Sequence, residues 1–466
     1  MNLFHTQICA GASQIYDFAL AKSCSLSRKR SGMEIKMRTV RLTAETQKDI
    51  LGTLLKRSPN NYTEYETIVA DIIKSVREQG DGAVFEYTRK FDKWEINAEN
   101  IRVTEAEIDE AFAAMDKRFV EVMKHSAANI EDFHRRQLRN SWIDTRPDGS
   151  ILGQRILPIA ISGVYVPGGK AAYPSSLLMN VIPAKVAGVS KIIMTTPAGA
   201  DGRVNPGTLA AARIAGVDEI YKVGGAQAIA AMTFGTQSIP KVDKITGPGN
   251  IFVALAKKAC FGYVSIDSIA GPSEILVIAD ETANPRYVAA DLLSQAEHDE
   301  LASAILITTD ERVAEAVNRE IEHFLPTLSR EEIIRKSLDN YGFILLADSM
   351  TDAVAAANAI ASEHVEILTQ DPYNVMTKIQ NAGAIFLGEY SSEPLGDYYA
   401  GPNHILPTNG TARFFSPLSV DDFVKKTSII SYSEESLHKA HRDIELFAEK
   451  EGLTAHANSI RVRFQE

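Results

Sequence analysis

Cysteine is scarce in this chain of 466 residues: Cys9 and Cys24 lie near the N-terminus, and Cys260 is the one thiol of the body. The body can form no intrachain disulfide, which suits a reducing compartment and predicts a cytoplasmic protein. Basic residues are outnumbered, 49 Lys and Arg against 60 Asp and Glu, for a formal net charge of −11. Nothing would draw such a chain to a polyanion, which argues against nucleic acid as a general partner. Apolar runs are short, well below the roughly 20 residues that cross a bilayer, and they carry strand and helix periods, so no membrane partner is expected. Also missing is a G-x-G-x-x-G between a first strand and its helix, the usual dinucleotide fingerprint.

Length and periodicity are what remain. The chain exceeds one typical domain, so two large domains with smaller additions are expected. Residues 1–36 hold five Lys or Arg against Asp17 and Glu34, with no h-region followed by a cleavage site. They are expected to be a disordered tail or to precede a true start at Met33 or Met37. From 37 to 150, apolar positions three and four apart over 43–56, 66–90, 105–117 and 119–138 predict a helical segment without strands. His125 and His134 are expected there as surface or packing residues.

At residue 156 the period changes. A strand at 156–166, a helix at 175–187, a strand at 191–195, a helix near 205–215, a strand at 219–223 and a helix from Gly225 outline a first α/β domain, 151–272. The second, 273–390, begins with strand 274–279 and a helix capped by Asn284 with Pro285 in its first turn. Strand 303–308, helix 311–323, strand 342–347, helix 352–361, strand 365–369, helix 373–381 and strand 384–389 follow. This alternation predicts parallel sheets covered by helices on both faces, with a cleft between two domains. The segment 391–466 is rich in Gly, Pro and Ser to about 418, then helical at 420–426 and 434–450, with a strand-like piece at 458–464. It is too thin for a core of its own and must pack on something, within the chain or on a second copy.

Several side chains carry possible chemistry. Gln295 and His298 stand three apart near a helix end, beside one another and able to share a metal ion, although each is also an ordinary surface group. Glycines at 167–169, 224–225 and 247–249 fall at the C-terminal ends of strands, where backbone can approach a ligand and a helix N-terminus can meet a diphosphate; ordinary turns explain them equally well. Glu363-His364 reads on its own as a solvated strand start. His323 is expected to be structural or exposed, and His438 and His441 to lie on a solvated helix face. Cys260 ends an apolar helix and reads as a buried or idle thiol.

Taken in order, Gly-Val-Tyr-Val-Pro-Gly-Gly (163–169), Gly-Gly-Ala-Gln-Ala (224–228), Gly-Pro-Gly-Asn (247–250), Gly-Pro-Ser-Glu (271–274), Ser-Gln-Ala-Glu-His (294–298), Glu-His (363–364), Gly-Asp-Tyr-Tyr-Ala-Gly-Pro-Asn-His (396–404) and Glu-Gly-Leu-Thr-Ala-His (451–456) resemble the histidinol dehydrogenase family. The resemblance runs from about residue 37 to the C-terminus. It implies two Rossmann-like parallel-sheet domains, an incomplete dinucleotide fold lacking the fingerprint, and a C-terminal tail exchanged in a homodimer. It also implies oxidation of L-histidinol to L-histidine through L-histidinal with two NAD in sequence. By the same resemblance Tyr165, Gln227 and Asn250 contact NAD, and Gln295, His298, Asp397 and the partner's His456 hold one Zn²⁺ per subunit. His364 is then the base for the alcohol and Glu363 activates water. Ser273, His404 and Glu451 join Gln295, His298, His364, Asp397 and His456 around the substrate. Two rival readings stand beside this one: a relative that oxidises another polar alcohol, such as a sulfonated diol, and a zinc hydrolase that uses Glu363 without NAD.

Overall fold

The computed structural model describes residues 36–55, 63–168, 173–269 and 271–465. The expectation for residues 1–35 and the position of Gly169 lie outside them. Among the described residues no helix is long and apolar enough to cross a membrane.

Two parallel sheets organise the chain, as the alternation of periods predicts. The first has five strands in the order Glu219–Tyr221, Lys191–Thr195, Ile161–Tyr165, Lys244–Thr246, Ser265–Ile266. The second has six, in the order Arg38–Arg41, Gly342–Leu346, Ser303–Thr308, Glu274–Ala279, His364–Leu368, Ala384–Leu387. Its three strands Ser303–Thr308, Glu274–Ala279 and His364–Leu368 are buried along their whole length because helices cover both faces. Alternate side chains feed two cores: Ile275, Val277, Leu306 and Ile344 pack on one side, and Leu276, Ile278, Ile305 and Leu345 on the other.

Several sequence expectations need correction. The segment 37–150 does contain strands: Arg38–Arg41 runs parallel to Gly342–Leu346 at the edge of the second sheet, and Trp142–Thr145 pairs with Ile151–Pro158. Met37 is buried beside that edge, its N–H donating to Asn318 Oδ1 at 2.8 Å, so the start of the segment packs with the second sheet. The helix expected over 66–90 breaks at Gly80, whose φ of +58° is left-handed, into Thr63–Gln79 and Asp81–Phe91.

The single strand expected at 156–166 is two. Ile151–Pro158 joins an antiparallel sheet, and the chain then turns into Ile161–Tyr165 where Asp243 Oδ2 accepts the N–H groups of Ala160 and Ile161, each at 2.9 Å. The third strand of that antiparallel sheet is Val424–Ser431, where a helix over 420–426 was expected; only the turn Val420–Phe423 is helical. Its β-branched Val424, Thr427, Ile429 and Ile430 favour the pleat over the helix. Residues 458–464 do not form a strand, since Thr454–Arg461 is helical. Helix 373–381 shrinks to Pro372–Met376, and Glu331–Tyr341 adds a helix that periodicity did not single out. His134 is a packing residue, fully buried with Nδ1 2.7 Å from the Ile130 carbonyl, while His125 and His323 are exposed.

Candidate active site

At the N-terminal edge of the second sheet, the first turns of two neighbouring strands bring their ends together. His364 opens its strand and lies in register with Ile275 on one side and Ala384 on the other. Its Nδ1 is 2.9 Å from the Glu274 carbonyl, which makes Nδ1 the protonated nitrogen and leaves Nε2 to face Asp397 Oδ1 at 3.8 Å. Glu363, one residue earlier, accepts the Glu274 N–H at 2.9 Å and lies 3.7 Å from the imidazole. Ser273 precedes Glu274, so it stands at the same edge, half-buried, its carbonyl tied to the Ser303 N–H.

The third wall comes from the segment after the last strand. Ser392 begins a short helical turn, Glu393–Leu395, and a π turn, Gly396–Ala400, continues it and carries Asp397. The π turn is held from outside by Ser126 Oγ and Asn129 Nδ2, which donate to the carbonyls of Tyr398 and Tyr399 at 2.7 and 2.8 Å. His404 packs against it, with Nδ1 3.0 Å from the Asp397 carbonyl and 3.7 Å from its carboxylate. From the helix Pro285–Ala296 and its C-terminal turn come Gln295 and His298. Ligand atoms of His298, Glu393 and Asp397 all lie within 4.8 Å of one another. Gln295 is fully buried, and neither atom of its amide has a hydrogen-bond partner; His364 Nε2 is likewise buried, and it meets the Asp397 carboxylate only at ion-pair distance. Buried polar atoms without partners are costly, so a cluster of nitrogen and oxygen donors of this kind fits a bound cation.

Glu393 was not singled out from the sequence, nor were Glu366 and Asp291 behind it. Glu366 Oε1 accepts the Glu393 N–H at 2.7 Å, Ser294 Oγ donates to Glu393 Oε2 at 3.0 Å, and Asp291 shares a hydrogen bond with Glu366. The available signal was a glutamate inside the apolar strand His-Val-Glu-Ile-Leu, which a fully buried strand does not carry without a reason.

Charge dominates this cluster. Burial pushes Glu363 up to about 8, despite the neighbouring imidazole. Burial acts to lower His364, but the Glu363 and Asp397 carboxylates override it and raise the imidazole to about 10. Asp397 goes the other way: burial would raise it, yet His364 and His404 hold it near 2. Burial, with the Asp397 charge beside it, lifts Glu393 to about 7.

A second group of candidates gathers at the C-terminal edge of the first sheet. Tyr165 ends its strand, and its phenolic oxygen accepts the Gly225 N–H at 3.2 Å. Gln227 is 1% exposed with both amide atoms unpartnered, the same condition as Gln295. Asn250 is exposed and caps the helix Ile251–Cys260, its Oδ1 accepting from Phe252 and Val253. The chain does not bring Glu451 and His456 to either group. They lie exposed on the tail with Ile444, Phe447 and Leu453, between helices Glu434–Lys450 and Thr454–Arg461 that pack chiefly on each other. Cys260 is buried beside Thr233, its thiol pushed up by burial, and so is an idle core thiol. On the tail, His438 meets the Phe464 ring edge-on and His441 meets it at a tilt.

The family model described as histidinol dehydrogenase matches residues 55–464. The chain belongs to the histidinol dehydrogenase family. The histidinol dehydrogenase of Clostridium acetobutylicum is 56% identical over 413 residues, covering 89% of this chain and 95% of its own length. That of Caldanaerobacter subterraneus is 54% identical over 422 residues, covering 91% and 98%. The crystal structure of histidinol dehydrogenase from Elizabethkingia anophelis superposes with a TM-score of 0.86 at 39% identity, covering 92% of this chain and 98% of that one. Membership of the histidinol dehydrogenase family makes the chain an NAD-dependent oxidoreductase of histidine biosynthesis.

The raised values of Glu363 and His364 give a sign to pH stability. Both groups bind protons more tightly folded than unfolded, so their contribution is fully present below the unfolded values and is lost as pH rises through about 8 and about 10. Protein stripped of divalent cations should therefore melt at a lower temperature at pH 9 than at pH 6. Calorimetry of Glu363→Gln, which cannot ionise there, should give a shallower pH dependence than the unsubstituted protein; equal slopes would refute the assignment.

Proposed function

We propose that this enzyme oxidises L-histidinol to L-histidine through L-histidinal, using two NAD in sequence, as the final step of histidine synthesis. The observation that carries the reading is the buried Glu363-His364 pair facing Asp397 at one sheet edge, in a chain of this family. Oxidation of the alcohol removes a hydride from carbon and a proton from oxygen. His364 Nε2, with Nδ1 fixed on the Glu274 carbonyl, is aimed to receive that proton. The aldehyde then needs water. Glu363, held by the Glu274 N–H, is placed to take a proton from water as it adds, after which the second hydride leaves and a carboxylate results. His404 and Ser273 line the same cavity, where they orient the substrate. Cys260 takes no part, because its thiol is buried away from the cavity.

Gln295, His298 and Asp397 would hold Zn²⁺, an assignment supported by the unpartnered Gln295 amide and the mixed nitrogen and oxygen donors. When bound, zinc supplies orientation of the substrate's nitrogens and positive charge beside Asp397, which weakens the hold of that carboxylate on the His364 proton. Tyr165, Gln227 and Asn250 would receive NAD, whose nicotinamide supplies the hydride acceptor. The fit rests on the buried, unpartnered Gln227 amide and on the glycine turns beside it.

The remaining ligand is assigned to a second copy. In a homodimer with shared sites, the exposed tail would deliver Glu451 and the partner's His456, and its apolar residues Ile444, Phe447 and Leu453 would be covered. A cytoplasmic location accords with a body that has no disulfide.

Two measurements test this reading. With limiting L-histidinol, absorbance should report two NADH per substrate, abolished by chelation and restored by Zn²⁺; no NADH from histidinol would point to another polar alcohol, and turnover without NAD to a hydrolase. Separately, His364→Ala and His456→Ala, each inactive, should regain about a quarter of wild-type activity when unfolded and refolded together, because half the dimers then carry one intact site. No recovery in mixed dimers would place both residues in one subunit's site.

A further inference from the structure

Behind the loop 247–250, away from the acidic cluster, lies a buried ion pair that neither the chemistry nor the core accounts for. Lys257 belongs to the helix Ile251–Cys260, and Asp267 follows the edge strand Ser265–Ile266. Their side chains are 3% and 4% exposed. Lys257 Nζ pairs with Asp267 Oδ1 and also donates to the Gly247 carbonyl at 3.0 Å. Asp267 Oδ2 accepts the Gly247 N–H at 2.8 Å, and Oδ1 accepts from Ser268 at 2.7 Å. One ion pair thus holds both backbone polar groups of one glycine.

Gly247 is the point where three loops meet. Its φ is +118°, and a Cβ there would come within 2.0 Å of the Tyr165 carbonyl oxygen, so only glycine fits and its backbone presses on Tyr165. Tyr165 in turn accepts the Gly225 N–H two residues before Gln227. Asn250, three residues after Gly247, is aimed by its own capping bonds to Phe252 and Val253. The helix so capped carries Lys257, which closes the circuit.

We propose that Lys257 and Asp267 are positioning residues for the nucleotide, fixing Gly247 and with it the placement of Tyr165 and Asn250 before a nucleotide arrives; this rests on the reading of Tyr165, Gln227 and Asn250 as its site. A buried ion pair gains little stability over an apolar pair of the same volume. What an apolar pair cannot do is hold an N–H and a carbonyl in fixed directions. A loop ordered in advance loses less freedom when a ligand binds, and that difference appears as affinity.

The test compares NADH dissociation constants by fluorescence titration in the full-length, zinc-loaded enzyme. In Lys257→Met with Asp267→Asn no lone charge is left buried and Met keeps the lysine stem, while the single oxygen of Asn can accept from Gly247 or from Ser268 but not from both, so the donor to the Gly247 carbonyl and one of the two backbone acceptors disappear. NADH should bind about tenfold more weakly, with zinc content and the KM for histidinol unchanged. Affinity within about twofold of wild type, or equal losses in zinc and histidinol, would overturn the proposal. Gln227→Ala and Asn250→Ala separate the two readings: if neither weakens NADH binding, the nucleotide site itself is misplaced and the positioning role falls with it. Should the double variant not fold, hydrogen exchange of the unsubstituted enzyme decides. The Gly247 amide should exchange slowly without nucleotide, and exchange that becomes slow only with NADH would contradict a loop fixed in advance.

Discussion

Uncompensated negative charge in a buried place is the constraint on which this structure turns. Asp291, Glu363, Glu366, Glu393 and Asp397 crowd one region, and among the described residues their ion-pair partners are the imidazoles of His364 and His404, with no Lys or Arg. Charges removed from water without partners are tolerated only by taking up protons or by receiving a cation. The raised values of Glu363 and Glu393 describe the first response, which an enzyme needing bases cannot afford. A divalent cation among Gln295, His298 and Asp397, as proposed, would be the second, and it would return His364 toward the range where an imidazole accepts protons.

The two sheets present their candidate residues at opposite edges. The first presents Tyr165, Gln227 and Asn250 at the C-terminal ends of its strands, the usual edge for a cofactor in an open parallel sheet. The second presents Glu363, His364 and Ser273 at the N-terminal ends of its strands. The segment after residue 390 joins the two, with Asn403 donating to the Met179 carbonyl on the first domain's helix and Asp397 turned toward His364. A π turn is a fitting carrier for Asp397, because its irregular winding lets a side chain leave the helical track.

Much of this was legible in the chain. Alternating strand and helix periods disclosed both parallel sheets because buried parallel strands are continuous apolar runs, and Glu274 to Ala279 and Ser303 to Thr308 are such runs. Motif resemblance singled out Glu363, His364, Asp397, Gln295 and His298; the fold brings Glu363, His364 and Asp397 together and His298 beside Asp397, with Gln295 buried three residues before His298. Not every edge strand was legible: 219–221 and 384–387 were, but Arg38–Arg41 is short and polar, and it is a strand only because Gly342–Leu346 offers it an unpaired side. Val424–Ser431 was misread for the same reason, its partner lying some 270 residues earlier at Ile151–Pro158. Glu366, Glu393 and Asp291 escaped because their meaning is three-dimensional, one carboxylate stacked behind another. Glu451 and His456 remain apart from the rest within one chain, exposed on the tail.

If the buried carboxylates form one half of a cation site, the active enzyme carries a metal ion there. Anomalous diffraction at the zinc absorption edge, from crystals of the active enzyme, tests it directly. One peak per subunit is expected within bonding distance of Gln295, His298 and Asp397, with His456 of a second copy beside it. Zinc-replete, active crystals with no peak there, or with a peak that does not touch Asp397, would contradict it.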